Sequence, residues 1–87
     1  MNRTMLEQHL KEARGHVALG ERRVARQKAI IRSLERDGHN SAVARELLCT
    51  FEQTQKMHVD DVSRIEGELA ILGRTASRQG LSSSRDR

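Results

Sequence analysis

The chain has 87 residues, no proline, one aromatic residue, one cysteine and a formal net charge of +4. A chain of this length forms one small domain, and the near absence of aromatic residues argues against a β-sandwich or barrel. The lone Cys49 excludes an internal disulfide, and no window approaches the ~18 apolar residues of a membrane span. We therefore expect an all-α cytoplasmic protein with no membrane contact.

A first long helix is predicted over residues 5–37. Thr4 and Glu7 form a capping box that would start the helix at Met5, and Gly38 can adopt the left-handed conformation that ends a helix. The apolar positions recur with the 3.5-residue period of a coiled-coil seam. They are Leu6, Leu10, Ala13, Val17, Gly20, Val24, Gln27, Ile31 and Leu34.

A second helix is predicted over residues 41–72, capped by Asn40 or Ser41 and ended by Gly73. The turn at residues 38–40 is so short that the two helices must lie antiparallel side by side. Residues 1–73 are thus predicted to form an antiparallel two-helix coiled-coil hairpin. The second seam comprises Ala44, Leu48, Phe51, Gln55, His58, Val62, Ile65, Leu69 and Leu72.

The remaining segment, residues 74–87, has one large apolar residue, Leu81, and a net charge of +3. So little apolar surface cannot offset the entropy of ordering, and we expect a disordered basic tail. Its arginines, with two on helix 1, are candidate contacts for an anion such as phosphate: Arg22, Arg26, Arg74, Arg78, Arg85 and Arg87. A nucleic-acid-associated accessory protein is therefore the alternative function.

The seam period allows two registers of α1 against α2. In the first, the residue numbers of two facing seam positions add up to 75, and in the second they add up to 82. The first would set Lys28 beside Arg45, which repels. The second brings opposite charges together in several places, and each exposed pair contributes about 0.2–1 kcal/mol. We therefore favour the sum of 82. It pairs Glu35 with Arg45, Lys28 with Glu52, Arg14 with Glu66 and Gln27 with Gln55.

Three polar residues, Gln27, Gln55 and His58, interrupt the two apolar seams. Buried polar side chains of this kind set the register and the oligomeric state of a coiled coil. A ligand pocket is the other interpretation, and His16, His58 and Asp61 could approach one another as metal ligands. The Glu-x-x-His pairs of bundle metal sites are missing, so we expect no metal and no cofactor.

No residue set suited to catalysis is present. Cys49 lies between Glu46 and Glu52, and acidic neighbours disfavour the reactive thiolate. The sequence also holds no phosphate-binding glycine loop and no nucleophile–base–acid triad that can be assigned. We therefore expect a non-catalytic oligomerisation or protein-interaction module rather than an enzyme.

Apolar residues beside the seam indicate self-association. Ile30, Leu47 and Val59 have no evident cover inside one hairpin, and uncovered apolar surface is typical of an interface. Two hairpins packed as a dimeric four-helix bundle would cover them.

Three segments carry a resemblance to known proteins: 20–27 (GERRVARQ), 34–39 (LERDGH) and 47–55 (LLCTFEQTQ), followed by His58 and Asp61. This pattern resembles a family of small uncharacterised bacterial proteins predicted to be helical hairpins. The resemblance spans about residues 6–72 and implies a bacterial cytoplasmic hairpin, with no activity, cofactor or site residue to carry over.

Overall fold

The chain forms an antiparallel pair of long helices. The computed structural model describes the backbone of residues 2–85 and the side chains of residues 2–74. Helix α1 spans Arg3–Arg36, helix α2 spans Ala42–Arg85, and they pack against each other along the length of α1. The result is a rod of 76 × 18 × 14 Å. The all-α class and the two-helix hairpin are confirmed.

Helix α1 begins two residues before the predicted start. Asn2 is the N-cap, because its side-chain Oδ1 accepts a hydrogen bond of 2.8 Å from the Met5 N–H. The predicted cap at Thr4 is therefore wrong. Asparagine is at least as good an N-cap as threonine, so the earlier cap adds helical residues at no cost in capping.

The turn between the helices follows the prediction at Gly38. Its φ is +76°, and its N–H donates to the Glu35 carbonyl at 3.2 Å. The His39 N–H donates to the Leu34 carbonyl at 2.8 Å, which completes a Schellman motif. The Asn40 side chain then accepts from the Ala42 N–H at 2.8 Å and caps α2.

Helix α2 does not end at Gly73 but continues to Arg85. The expected helix end and the expected disordered tail both differ from the structure here. Gly38 is the one glycine with positive φ in the described part of the chain, so Gly73 keeps helical geometry. A glycine inside a helix costs only about 1 kcal/mol and, with no proline nearby, does not stop it. Residues 86–87 lie outside the described residues.

The core is small and lies along the predicted seams. Its buried residues are Leu6, Ala13 and Ile65. Four partly buried residues pack against them: Leu10, Val62, Leu69 and Leu72. Ile31 and Gln27 are the other buried residues among the side chains described. All of these positions belong to the two stripes found in the sequence, which confirms which face of each helix packs on the other.

The register is the one that we rejected. Gln55 lies against Gly20, and its Oε1 occupies the space that a Cβ atom at Gly20 would need, so the numbers of facing residues sum to 75. Gln27 consequently does not meet Gln55. Instead its Nε2 donates to the Ala44 carbonyl at 2.9 Å.

Two of the ion pairs expected for the other register nevertheless form. Arg14 pairs with Glu66 at 2.9 Å, and Glu35 pairs with Arg45. Helical side chains lean toward the N-terminus of their own helix. In an antiparallel pair, the side chains of the two helices therefore lean in opposite directions along the rod. Arg14 and Glu66 lean toward each other, as do Glu35 and Arg45, whereas Lys28 and Arg45 lean apart. This lean reduces the repulsion that we used to exclude this register.

Candidate interaction surface

The hairpin has two long faces, one on each side of the seam. In an antiparallel pair, the e positions of both helices share one face and the g positions share the other. We call the first the e face; its e positions include Arg14, Lys28, Glu35, Arg45, Glu52, Val59 and Glu66. We call the second the g face and define it by the g and c positions. These are Met5, His9, Glu12, His16, Leu19, Arg23, Arg26, Ile30, Ser33, Val43, Leu47, Thr50, Thr54, Met57, Asp61, Arg64, Glu68 and Ile71.

The e face is bridged at two places by polar contacts between the helices, and it also has two open grooves of about 420 and 300 Å³. Glu35 accepts hydrogen bonds from Arg45 and from the Ser41 hydroxyl, the latter at 3.0 Å, and these bonds lower the pKa of the Glu35 carboxyl below its usual value. The Arg14–Glu66 pair bridges the same face farther from the turn. These charges are therefore satisfied within one chain.

The g face carries most of the exposed apolar surface. Among the described side chains, eight large apolar residues are exposed, and seven of them lie on this face, from 39% exposed at Leu19 to 78% at Val43. The seven are Met5, Leu19, Ile30, Val43, Leu47, Met57 and Ile71. The eighth, Val59, is on the e face. The g face is therefore the candidate interaction surface.

Sequence reasoning found only part of this surface. Ile30 and Leu47 were expected beside the seam and lie on the g face, whereas Val59 lies on the opposite face. The other five residues occupy c positions, one step farther from the seam, and were missed. Their signal is a second stripe, since Val43, Met57 and Ile71 recur at multiples of seven residues.

The apolar residues of the g face form three groups along the rod. Ile30, Val43 and Leu47 are near the turn. Leu19 and Met57 lie at nearly the same level near the middle of the rod, as the observed register requires. The third group, Met5 and Ile71, lies near the open end of the hairpin, where Ile71 borders a groove of about 300 Å³ together with Leu6 and Glu68.

The polar seam residues bond across the helix pair, in two separate layers. Gln27 is buried and donates to the Ala44 carbonyl, while the Gln55 Nε2 donates to the Val17 carbonyl at 2.9 Å. The Gln55 Oε1 is buried and has no hydrogen-bond partner within the described part of the protein. Both amides thus link one helix to the backbone of the other, as residues that set a register would do.

The third seam residue, His58, stacks on His16. Their ring centroids are 5.2 Å apart and their planes differ by 17°. A small cavity of about 40 Å³ adjoins them and is also bordered by Arg23 and Gln55. Asp61, the third member of the hypothetical metal cluster, is 3.6 Å from Arg64 instead. Across residues 2–74, no three His, Cys, Asp or Glu side chains are placed to hold a metal.

The candidate anion contacts divide into two sets. Arg22, Arg26 and Arg74 are exposed, and none of them makes an ion pair with another side chain of residues 2–74. The side chains of Arg78 and Arg85, and all of Arg87, lie outside the described residues. Cys49 is exposed as a free thiol.

Within the described residues, neither helix has an apolar stretch long enough to cross a membrane. The resemblance to bacterial hairpin proteins stays a prediction. The chain matches no protein-family model, no curated protein and no solved structure.

Proposed function

We propose that this protein is a non-catalytic interaction module that binds a second copy of itself through the g face and forms a four-helix bundle. The observation that carries this proposal is the segregation of seven of eight exposed large apolar side chains onto one face. The hairpin's own core is slight, with five buried residues among the described side chains. A second copy would give each helix a second buried stripe.

The energetic balance points to a weak association rather than a permanent one. Covering a half-exposed apolar side chain gains on the order of 1 kcal/mol, since full burial gains about 1.5–3 kcal/mol. A two-fold interface contains each residue twice. The total is of the same order as the roughly 4–15 kcal/mol that association costs in lost freedom and ordering. We therefore expect a dimer that dissociates on dilution.

Sedimentation analysis tests this function. The wild type should sediment as a dimer at micromolar concentration. Leu47→Asp introduces a charge on the g face and should convert the dimer to a monomer, whereas the matched Val59→Asp on the e face should leave it intact. Both residues are comparably exposed, at 43% and 45%. A wild-type monomer that melts cooperatively would refute the proposal.

The alternative function is binding to nucleic acid through arginines. It is favoured by the exposure of Arg22 and Arg26, which form no ion pair in the described part of the chain, unlike Arg14, Arg45 and Arg64. Such binding would be non-specific and would weaken steeply with salt.

Gel-shift titrations with generic DNA and RNA test this alternative at several salt concentrations. The changes Arg74→Gln, Arg78→Gln, Arg85→Gln and Arg87→Gln, made together, should remove most of the binding. Arg22→Gln with Arg26→Gln should remove less. If wild type does not bind even at low salt, this function is excluded.

A further inference from the structure

Resting on the proposed self-association, we propose that the second copy lies on the g face in the reverse direction, with its turn at the opposite end of the rod. The two-fold axis would cross the g face at the level of Leu19 and Met57. The partner surface is thus the same g face of a second chain, as an isologous two-fold contact requires.

The spacing of apolar residues on α2 is symmetric about this axis. Val43 and Ile71 each lie fourteen residues from Met57 along one helix. At 1.5 Å per residue this is about 21 Å in either direction. Reversal about Met57 therefore brings Val43 onto Ile71 of the second copy and places Met57 beside its own counterpart.

Helix α1 repeats the arrangement. Met5 and Ile30 lie on either side of Leu19, at fourteen and eleven residues. The difference is less than one helical turn, so reversal brings Met5 within side-chain reach of Ile30 of the second copy. Because Leu19 and Met57 share a level in the observed register, one axis serves both helices.

Apolar spacing alone would also permit a dimer in which the turns of the two hairpins lie at the same end. Each apolar group on α1 would then meet the group at the same level on α2 of the second copy. Charge distinguishes the two arrangements. The half nearer the turn, residues 19–56, holds eight basic and five acidic side chains, a net charge of +3. The other half, residues 2–18 with 57–73, holds four basic and six acidic side chains, a net charge of −2. Reversal sets halves of opposite net charge together, whereas joined turns set halves of like net charge together.

The charged residues of the g face follow the same division, except for Arg64, which lies in the acidic half. Arg23 and Arg26 border a groove of about 310 Å³ with Ile30 in the half near the turn. Glu12 and Glu68 lie in the other half. In the reversed arrangement, two residues of α1 and its counterpart lie at the same level when their residue numbers have a fixed sum. Met5 with Ile30 of the second copy and Glu12 with Arg23 of that copy both give a sum of 35, so the placement that brings the first pair together also brings the second together. Apolar and ionic matches therefore require the same placement.

Disulfide trapping tests the direction. In a Cys49→Ser background, chains carrying Leu19→Cys are mixed with tagged chains carrying Met57→Cys and oxidised mildly. The reversed dimer should give Leu19→Cys and Met57→Cys homodimers and little mixed product. Val43→Cys with Ile71→Cys should give the mixed product, and Val59→Cys on the e face should give none. A predominantly mixed Leu19–Met57 product would overturn the proposal in favour of joined turns.

A charge exchange provides a second measurement that does not depend on disulfide geometry. Arg23→Glu should weaken the dimer about tenfold in sedimentation equilibrium at low salt, and Arg23→Glu combined with Glu12→Arg should restore it. A dimer that shows neither the homodimer disulfides nor the restoration would overturn this arrangement and leave self-association standing. A wild-type monomer would overturn self-association itself.

Discussion

The two long faces of the hairpin lie on the same pair of helices, but they differ in how many of their side chains are paired with the other helix and how many apolar side chains they leave exposed. On the e face, Glu35 and Arg45 pair near the turn, Arg14 and Glu66 pair farther along, and Val59 is the lone exposed large apolar residue among the described side chains. On the g face, seven such residues remain exposed. The e face is bridged by ion pairs within one chain, whereas the g face carries most of the exposed apolar surface.

This difference shows that the apolar pattern contains two signals. The buried signal is the seam, and it suffices to join two helices. The second signal is a stripe of apolar residues at the c and g positions of both helices, and these residues are not buried within the hairpin. A surface helix needs only one apolar stripe, and a second stripe on the same side of both helices is the feature on which the proposed four-helix bundle rests.

The largest expected effect compares an isoleucine of the seam with one of the g face. Ile65 is 5% exposed and Ile71 is 56% exposed, in the same helix. Ile65→Ala should lower the free energy of unfolding by about 2–5 kcal/mol because it leaves a cavity. Ile71→Ala should cost less than about 1 kcal/mol in dilute protein, where its side chain is uncovered.

Urea unfolding followed by circular dichroism measures both variants at low and high protein concentration. The cost of Ile71→Ala should grow with concentration, since dimerisation stabilises only the chain that can form the interface. If that cost is the same at all concentrations, the g face is not covered by a second copy.

A smaller effect is expected at the two glutamines of the seam, which lie between the two faces. Gln55→Leu should raise the free energy of unfolding by about 1 kcal/mol, because it removes a buried acceptor that has no partner in the described residues. Gln27→Leu, its matched control, removes a side chain whose bond to Ala44 is made and should stabilise less. Thermal unfolding measures both. Destabilisation by Gln55→Leu would show that the amide bond to Val17 outweighs the unpaired oxygen.

The smallest effect is expected on the e face at Glu35. Its lowered pKa means that the folded state favours the carboxylate, so the pair adds stability above the unfolded-state pKa and loses it as pH falls through the folded-state pKa. Glu35→Gln should therefore lower the melting temperature near neutral pH and have no effect once wild-type Glu35 is protonated. Added salt should shrink the difference, because the pair is exposed. Glu46→Gln, which removes an exposed acid outside the ion pairs, is the control.

The outline of the fold could be predicted from local chemistry. Helical periodicity identified the packed face of each helix, and Gly38 identified the turn, because each depends on residues close together in the chain. The helix ends were less secure. Asn2 competed with Thr4 as the first cap, and Gly73, which resembles Gly38 in the sequence, remained inside a helix. A glycine permits a stop, and only the surrounding hydrogen bonds decide whether it occurs.

The sequence by itself determined that two apolar stripes would meet in an antiparallel hairpin, but it predicted the pairs Arg14–Glu66 and Glu35–Arg45 from a register that does not form. Only the tertiary structure decided the register in which these pairs form. A heptad period makes registers seven apart nearly equivalent, and the choice between them depends on how side chains lean and fill space across the seam. Gly20 leaves room for Gln55, and His58 stacks on His16, which no spacing along the chain reveals. Local periodicity thus defines the faces of the rod, and packing between the helices defines what lies opposite each residue.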